Sequence, residues 1–576
     1  MGAMSRYFRA LAVDYDGTLT DRPAPDPLVL DALAATRRDG RTIVLVTGRR
    51  LEHLRADFPG FDLAFDAVVA ENGAVVWKPE TGARAVAQPV PLELDGPLAA
   101  LGVPFVRGQV LLATDAWQDQ TILRAIAGLG LELQLVRNRE ALMVLPPGIS
   151  KGTGLLEALR DLGVSPHVTI GVGDAENDHS LLETCELGAA VSNAVPALQA
   201  HADVVLAHPA GEGVVSLLRG PLLQGEIRVQ PKRWQARLGT LADGGAATVP
   251  GSQANLLVVG GTRTGKSCLA GLLAERLAAM GYVICVLDPE GDHVGLEALR
   301  GMLVTGGEDP LPDGEHLARL LRLGSVIVDL SLRSIEERAE GCRRLLGHLA
   351  GIRERTGLPH WIIFDEAHLV PEAARLLHLG EEPSAAGVCL ATYRPEDLDP
   401  ETAQAMDLAL ALPGEGAATI QAWLGAGGFP CRDLDAMPAP ADAEADREAL
   451  LLDRRGARRF TIDRRASAHV RHWHKYRSGE LPVHQRFFFR RGDRLTGAVA
   501  GSIGEFHDEI ARADAGVLAH HARNRDFSRW IAGVIGDGEL AGRVRSTERG
   551  LAAGLDGVEE ERLALLRAIE ARYAGG

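Results

Sequence analysis

Two short segments constrain this chain more than anything else in it: DYDGTLT at residues 14–20 and GGTRTGKS at residues 260–267. Each follows an apolar run, and each is a turn suited to the C-terminal end of a strand, where an open parallel sheet leaves a crevice for a ligand. The first pairs carboxylates. The second bares backbone N–H groups in a glycine-rich loop. Both are ways of handling phosphate, so two α/β sheets are expected in one polypeptide. At 576 residues the chain is too long for a single core.

The run of the sequence supports that division. RALAVDYD, DPLVLDALAATRRDG and TIVLVTGR read as strand, helix stopped at Gly40, and strand, the rhythm of a parallel sheet with crossover helices. Between about residues 78 and 147, hairpin-like runs (QVLLAT, LELQLV, ALMVL) surround one helical stretch and mark an insert, after which SKGTGLLEALRDLG and HVTIGVGD resume the rhythm. A Gly/Ala/Pro-rich stretch precedes a second βαβ series: NLLVVGG, VICVLD, SVIVDL, HWIIFDEAH and GVCLATYR. A Pro/Ala/Asp-rich stretch then leads to a short hairpin and a basic, aromatic end. The expected organisation is a Rossmann-like α/β domain over residues 1–223 with an α+β cap at 78–147, a P-loop NTPase α/β domain over 224–463, and a small accessory domain over 464–576.

In a strand, residues i and i+2 face the same side, so Asp14 and Asp16 are expected to present two carboxylates to one crevice. One can attack phosphorus while the other serves the leaving oxygen and then water as acid and base, with Mg2+ between the anions and the phosphate. LVTGR puts Thr47 at the next strand end, GISKG opens a helix on Lys151, and GVGDAENDHSLL puts Asp174 and Asp178 after a third strand. These four pieces in this order, with AENGA around Asn72 and the insert before the third of them, resemble the haloacid dehalogenase superfamily of Mg2+-dependent phosphatases, in its Cof-type subgroup with a type 2 cap. The resemblance implies that Asp14 is the nucleophile and Asp16 the general acid/base. It implies Asp14, Asp16 (through its carbonyl), Asp174 and Asp178 at the Mg2+ site, Asn177 beside them, and Thr47 and Lys151 on the phosphoryl group. It also implies a small phosphorylated substrate, such as a sugar phosphate or phosphoglycolate, chosen by the cap. There Arg107, Arg137 and Arg139 are candidate cations for a second anionic group.

Gly260, Thr264, Gly265, Lys266 and Ser267 lie in the pattern G-x-x-x-x-G-K-[ST] between a strand and a helix. The N–H groups of such a loop cradle β-phosphate oxygens, while Lys266 reaches the outer phosphates and Ser267 holds Mg2+. Asp365 and Glu366 end the strand in HWIIFDEAH. Asp365 can hold Mg2+ through water and Glu366 can polarise an attacking water, so ATP hydrolysis is expected rather than binding alone. VLDPEGDH, DEAH and LATYRPEDL together resemble the HerA/FtsK-type ATPases. That resemblance implies Asp288 and Glu290 near the nucleotide, residues 392–394 sensing the γ-phosphate, and a homo-oligomer in the form of a hexamer. Tyr393 stands where that family often has Gln, and the segment is too compact to include a separate barrel domain.

A formal net charge of −16 argues against a surface coated with nucleic acid, yet residues 454–494 carry thirteen Lys/Arg against three Asp/Glu. In a nucleic-acid reading, arginines such as Arg490 and Arg491 hold phosphates and Trp473, Tyr476 and Phe487 to Phe489 stack on bases. The plainer and favoured reading makes those aromatics the core of a small domain. His469, His472 and His474 lack the Cys or acidic spacing of a metal site, and the six scattered cysteines suggest neither zinc nor disulfides. No run reaches the roughly 18 apolar residues of a membrane span, and the start lacks a signal peptide's apolar core. A cytoplasmic protein with no membrane partner is expected. A phosphatase fused to an ATPase is the first reading; a nucleic-acid end-processing or translocating enzyme, and an ATP-regulated switch or scaffold, are the alternatives.

Overall fold

The apolar runs of the first third form β1 (Ala10–Asp14), β2 (Thr42–Val46) and β3 (Ala67–Ala70), nearly all buried, followed by the antiparallel β4 (Val75–Lys78) and β5 (Gly82–Ala85). The structure, a computed structural model, describes residues 7–138, 140–262, 264–380, 385–432, 434, 437, 447–467, 481, 483–492, 494–535, 537–553 and 558–573. The insert supplies β6 (Val106–Arg107), β7 (Leu112–Asp115), β8 (Gln134–Asn138) and β9 (Ala141–Leu145), an antiparallel sheet ordered β6-β7-β9-β8 with its own core around Leu94, Leu112, Ile122 and Val144. Then β10 (Thr169–Gly173), β11 (Leu187–Ala190) and β12 (Val204–Val205) complete the main sheet, ordered β12-β11-β10-β1-β2-β3-β4-β5. The expected start of the insert at residue 78 is too early. The chain turns back at Gly82, and residues 82–85 pair with β4 as the edge of the main sheet.

Register sets up the first crevice. Asp14 is level with Val46 on one side, and Val13 with Val172 on the other, so Thr47 and Asp174 each leave the sheet one residue beyond the level of Asp14. Lys151 is delivered by the helix Lys151–Leu162, whose start is fixed by a reciprocal cap: the Thr153 N–H donates to Ser150 Oγ at 3.2 Å and the Ser150 N–H to Thr153 Oγ1 at 2.9 Å. That helix lies so close to the turn at Gly73 that a Cβ on Gly154 would fall 2.4 Å from the Gly73 Cα. The glycines in AENGA and SKGTG are therefore packing requirements.

The middle of the chain forms β13 (Gln235–Leu241), β14 (Ala246–Pro250), β15 (Asn255–Gly260), β16 (Ile284–Asp288), β17 (Met302–Gly306), β18 (Ser325–Asp329), β19 (Trp361–Phe364), β20 (Val388–Thr392), β21 (Leu408–Leu412), β22 (Glu448–Leu452) and β23 (Ala457–Ile462). They make one sheet ordered β14-β13-β23-β22-β21-β15-β20-β19-β16-β18-β17. Its strands from β15 to β21 in sequence are mutually parallel, and the two hairpins β13–β14 and β22–β23 extend it in antiparallel fashion. At the C-terminal end, β24 (Phe487–Arg491) and β25 (Arg494–Ala500) pair beside helices packed around Phe487, Phe489, Phe506 and Phe527. Phe487 and Phe489 are thus buried rings and offer no stacking platform, while Trp473, Tyr476, His469, His472 and His474 lie outside the described residues. Among the described residues no helix is long and apolar enough to cross a membrane.

The first two units meet through a buried polar knot. Glu186, fully buried, receives the Ser252 hydroxyl on Oε1 and the Tyr282 hydroxyl on both oxygens at 3.0 and 3.1 Å, and lies 2.7 Å from His167 Nδ1. The His167 ring stacks on Tyr282 with centroids 3.8 Å apart, and Arg233 donates to the carbonyls of Leu182, Cys185 and Glu186. A carboxylate removed from such a nest leaves three partners unmatched in a dry interface. Glu186→Ala is expected to lower the unfolding free energy by about 3 kcal/mol, measured by urea denaturation. A loss below about 0.5 kcal/mol, the range of an ordinary surface change, would contradict this role.

Candidate active sites

Asp14, Lys151, Asp174 and Asp178 converge at the C-terminal ends of β1 and β10. Lys151 Nζ, buried, donates to Asp14 Oδ1 and Asp178 Oδ1, each at 2.5 Å. Asp178 Oδ2 accepts the backbone N–H groups of Asp174 and Ala175 at 3.0 and 2.9 Å, and Thr18 donates its hydroxyl to Asp174 Oδ1 at 2.9 Å. Thr47, also buried, accepts the Arg49 N–H on its hydroxyl at 3.1 Å. Asn177 donates to Asn72 Oδ1 at 3.0 Å.

Electrostatics define what this cluster lacks. Burial, then the charge of Asp178, push the Asp14 carboxyl well above the usual carboxylate range in spite of Lys151. Burial also opposes the Lys151 ammonium, but Asp14 and then Asp178 hold its pKa above the ordinary lysine value. Carboxylate oxygens of Asp14, Asp174 and Asp178 lie within 4.8 Å of one another, so three acids face one ammonium. A hard divalent cation with oxygen ligands fits that donor set and would restore the ionised Asp14 that nucleophilic attack needs. Asp14, Asp174 and Asp178 are the side chains that could hold it, and Asp178 also accepts from Lys151 and from the backbone N–H groups of Asp174 and Ala175.

Asp16 departs from expectation. The strand ends at Asp14, the chain turns at Gly17 (φ +82), and the Asp16 carboxylate leaves the cluster to pair with Arg49 at 2.5 to 3.1 Å. Arg49, read only as part of LVTGR, therefore controls where the second aspartate points. Glu71 is a further residue missed by sequence reasoning. It sits in left-handed backbone (φ 52), buried, and accepts the N–H groups of Gln109, Val110 and Leu111 at 2.7 to 3.0 Å, which ties the cap to the core. The cap faces the site with Asn138 and Met143, whose side chains lie beside Gly48. The expected cap cations are spent within the cap: Arg107 on Asp95 and the carbonyls of Val90 and Pro91, Arg137 on Asp119. Arg139 lies outside the described residues.

A sequence profile of the haloacid dehalogenase-like hydrolase family matches residues 113–218. The phosphoglycolate phosphatase of Archaeoglobus fulgidus is 31% identical over 219 residues, covering 37% of this chain and 96% of that protein. The chain belongs to the haloacid dehalogenase-like hydrolases. The phosphoglycolate phosphatase of Methanothermobacter thermautotrophicus is 30% identical over 219 residues (37% of this chain, 97% of that protein), and that of Natronomonas pharaonis 33% over 223 residues (36% and 95%). A solved subclass IIB sugar phosphatase of the haloacid dehalogenase superfamily aligns at 20% identity and a TM-score of 0.32, covering 37% of this chain and 98% of that one. These matches span the share of the chain that the hydrolase unit occupies, and the second crevice stands on its own geometry.

In that second crevice Gly260 ends β15 and Gly265 turns in left-handed backbone (φ +105) into the helix Lys266–Ala279. Lys266 Nζ and the Thr264 hydroxyl both donate to the Gly261 carbonyl at 2.9 Å, and Ser267 is the second residue of that helix. Register sets Asp288 level with Asp365, the residue that follows β19, and Phe364 level with Leu390, two residues before Thr392. His293 Nε2 lies 2.9 Å from Asp365 Oδ2, another contact with no signal in the motif reading. Burial works against the Asp365 charge, yet His293 holds its carboxyl down at about 2, whereas burial and then Asp365 push Glu366 up to about 8. Two adjacent acids with opposed shifts suit different tasks. Glu366 also takes left-handed backbone (φ 53), and its Oε2 lies 3.3 Å from His368 Nδ1. Glu290, expected near a nucleotide, is paired with Arg338 at 2.7 Å. Tyr393 lies with its ring 5.5 Å from Lys266 Nζ.

The first crevice gives a direct test. Mg2+ at about 100 times its dissociation constant is expected to stabilise the protein by about 2.7 kcal/mol, read as a rise in melting temperature, and Asp174→Asn should remove that rise. An equal rise in the variant would contradict the assignment of Asp174.

Proposed function

We propose that the protein is a Mg2+-dependent phosphomonoesterase for small phosphorylated acids, with phosphoglycolate first among them, joined to an ATP-hydrolysing P-loop domain. The observation that carries the first part is the buried Lys151 bonded to Asp14 and Asp178 at the strand ends. Asp14 attacks phosphorus, forming an Asp14–phosphorus bond as the ester P–O bond breaks. Asp16, once released from its pairing with Arg49, gives a proton to the leaving oxygen and then takes one from the water that cleaves the aspartyl-phosphate. Lys151 and Thr47 hold the phosphoryl oxygens, and the ammonium gains most where negative charge concentrates. Mg2+, when bound, would shield the phosphate from the carboxylates that face it.

Phosphoglycolate is favoured because relatives named phosphoglycolate phosphatase are matched along 96% and 97% of their own length. The ATP-hydrolysing reading is supported by Lys266, Ser267, Asp365 and Glu366 lying at one edge of the second sheet, with Glu366 as the base that polarises water. A second reading, in which nucleotide state sets phosphatase rate, is favoured by the Glu186 knot between the units.

Phosphate release from 2-phosphoglycolate and glucose 6-phosphate, each with and without ATP, tests these readings. The acid is expected to show at least a tenfold higher kcat/KM, a difference of about 1.4 kcal/mol. Preference for the sugar would move the substrate, and no Mg2+-dependent release from either would overturn the phosphatase reading. ATP turnover is expected to fall about 100-fold or more in Glu366→Gln with nucleotide binding kept, and binding itself to be lost in Lys266→Ala.

A further inference from the structure

We propose that Arg447 is a ligand for the inner phosphates of the nucleotide, reaching the P-loop from outside it. The inference rests on the P-loop reading above and adds a residue that no part of that motif contains. Because Gly265 has no side chain, its left-handed turn leaves an open face, and a Cβ built there would fall 2.5 Å from Arg447 Nη1 and 3.4 Å from Arg447 Cζ. The guanidinium therefore lies directly against the last glycine of the loop, beside the N–H groups that open the helix Lys266–Ala279.

The fold explains how a residue so distant in sequence arrives there. β22 runs antiparallel to β21, with Ala411 opposite Leu450, so its start lies at the edge of the sheet where β15 and β21 end. The Ile462 N–H donates to the Arg447 carbonyl and anchors the backbone at that point. Glu448, the next residue, is taken by Arg459 at 2.6 Å. Among the described residues the Arg447 guanidinium makes no hydrogen bond or ion pair.

A half-buried guanidinium without a partner among the described residues is costly unless an anion completes it. Its planar set of N–H donors suits two phosphate oxygens at once. The loop offers the other half of such a site in its amides, the helix start and Lys266. Arg447 lies against Gly265, the last glycine of a loop whose amides meet the phosphates that ADP and ATP share.

Titration of the full-length chain with ADP and with ATP, followed by calorimetry, tests this. Arg447→Ala is expected to weaken both nucleotides about 10- to 100-fold, and Arg447→Lys to recover part of the loss. The melting temperature without nucleotide should match wild type in both variants, because the guanidinium has no partner to lose among the described residues. Unchanged affinity for both nucleotides in Arg447→Ala, alongside loss of binding in Lys266→Ala, would overturn the assignment and leave the P-loop reading standing. A loss confined to ATP would overturn the placement on the inner phosphates. Failure of the wild-type chain to bind either nucleotide would overturn the P-loop reading and this assignment with it.

Discussion

The hydrolase unit is organised around one buried ammonium. Lys151 joins the end of β1, through Asp14, to the loop after β10, through Asp178, and does so from the first residue of a helix fixed by its own cap. Desolvating a lysine is unfavourable, and desolvating carboxylates beside one another is worse, but together they lower each other's cost. The surplus negative charge that remains is a functional property. It makes the crevice a place where a divalent cation and a phosphoryl group complete what the protein leaves unbalanced. The close approach of Gly154 to Gly73 and the grip of Glu71 on residues 109–111 then fix the helix and the cap relative to that charge.

The second crevice follows the same geometric rule with different chemistry. Parallel strands buried on both faces end in loops at one edge, and residues one step past the strand ends share a level. In the first sheet this gathers Thr47 and Asp174 around Asp14; in the second it gathers Asp288, Asp365, Glu366 and Thr392 near the loop at Gly265. The Glu186 knot sets the two sheets against each other through direct hydrogen bonds. Its position is suggestive for coupling. Glu186 follows the short helix His179–Thr184 that begins beside Asp178, and Tyr282 precedes β16, which ends at Asp288.

Much of this was legible in the sequence because parallel strands announce themselves as short apolar runs ending in chemically distinctive turns. β1, β2, β10, β15, β16, β18, β19 and β20 all follow that form. β17 and β21 do not: the first is half-exposed at the sheet edge, and the second alternates Leu with Ala, a pattern equally at home in a helix. Motif reading placed Asp14, Lys151, Asp174 and Asp178 in one crevice, but it extended strand geometry to Asp16, where the chain has already turned toward Arg49. It could not see that Arg107 and Arg137 are consumed by local acids, or that Arg447 returns to the P-loop, because such contacts depend on which strands pair across the sheet. The C-terminal aromatics read as the core of a small domain in preference to a nucleic-acid surface, and Phe487 and Phe489 are buried in such a core.

The central claim is that Asp14 takes the phosphoryl group. The full-length protein turning over 32P-labelled phosphoglycolate in Mg2+ can be quenched in acid and digested, and the labelled peptide mapped. A hydroxylamine-sensitive label is expected on the peptide carrying Asp14 and absent from Asp14→Asn. Turnover with no acid-stable label, or label on any other residue, would contradict it.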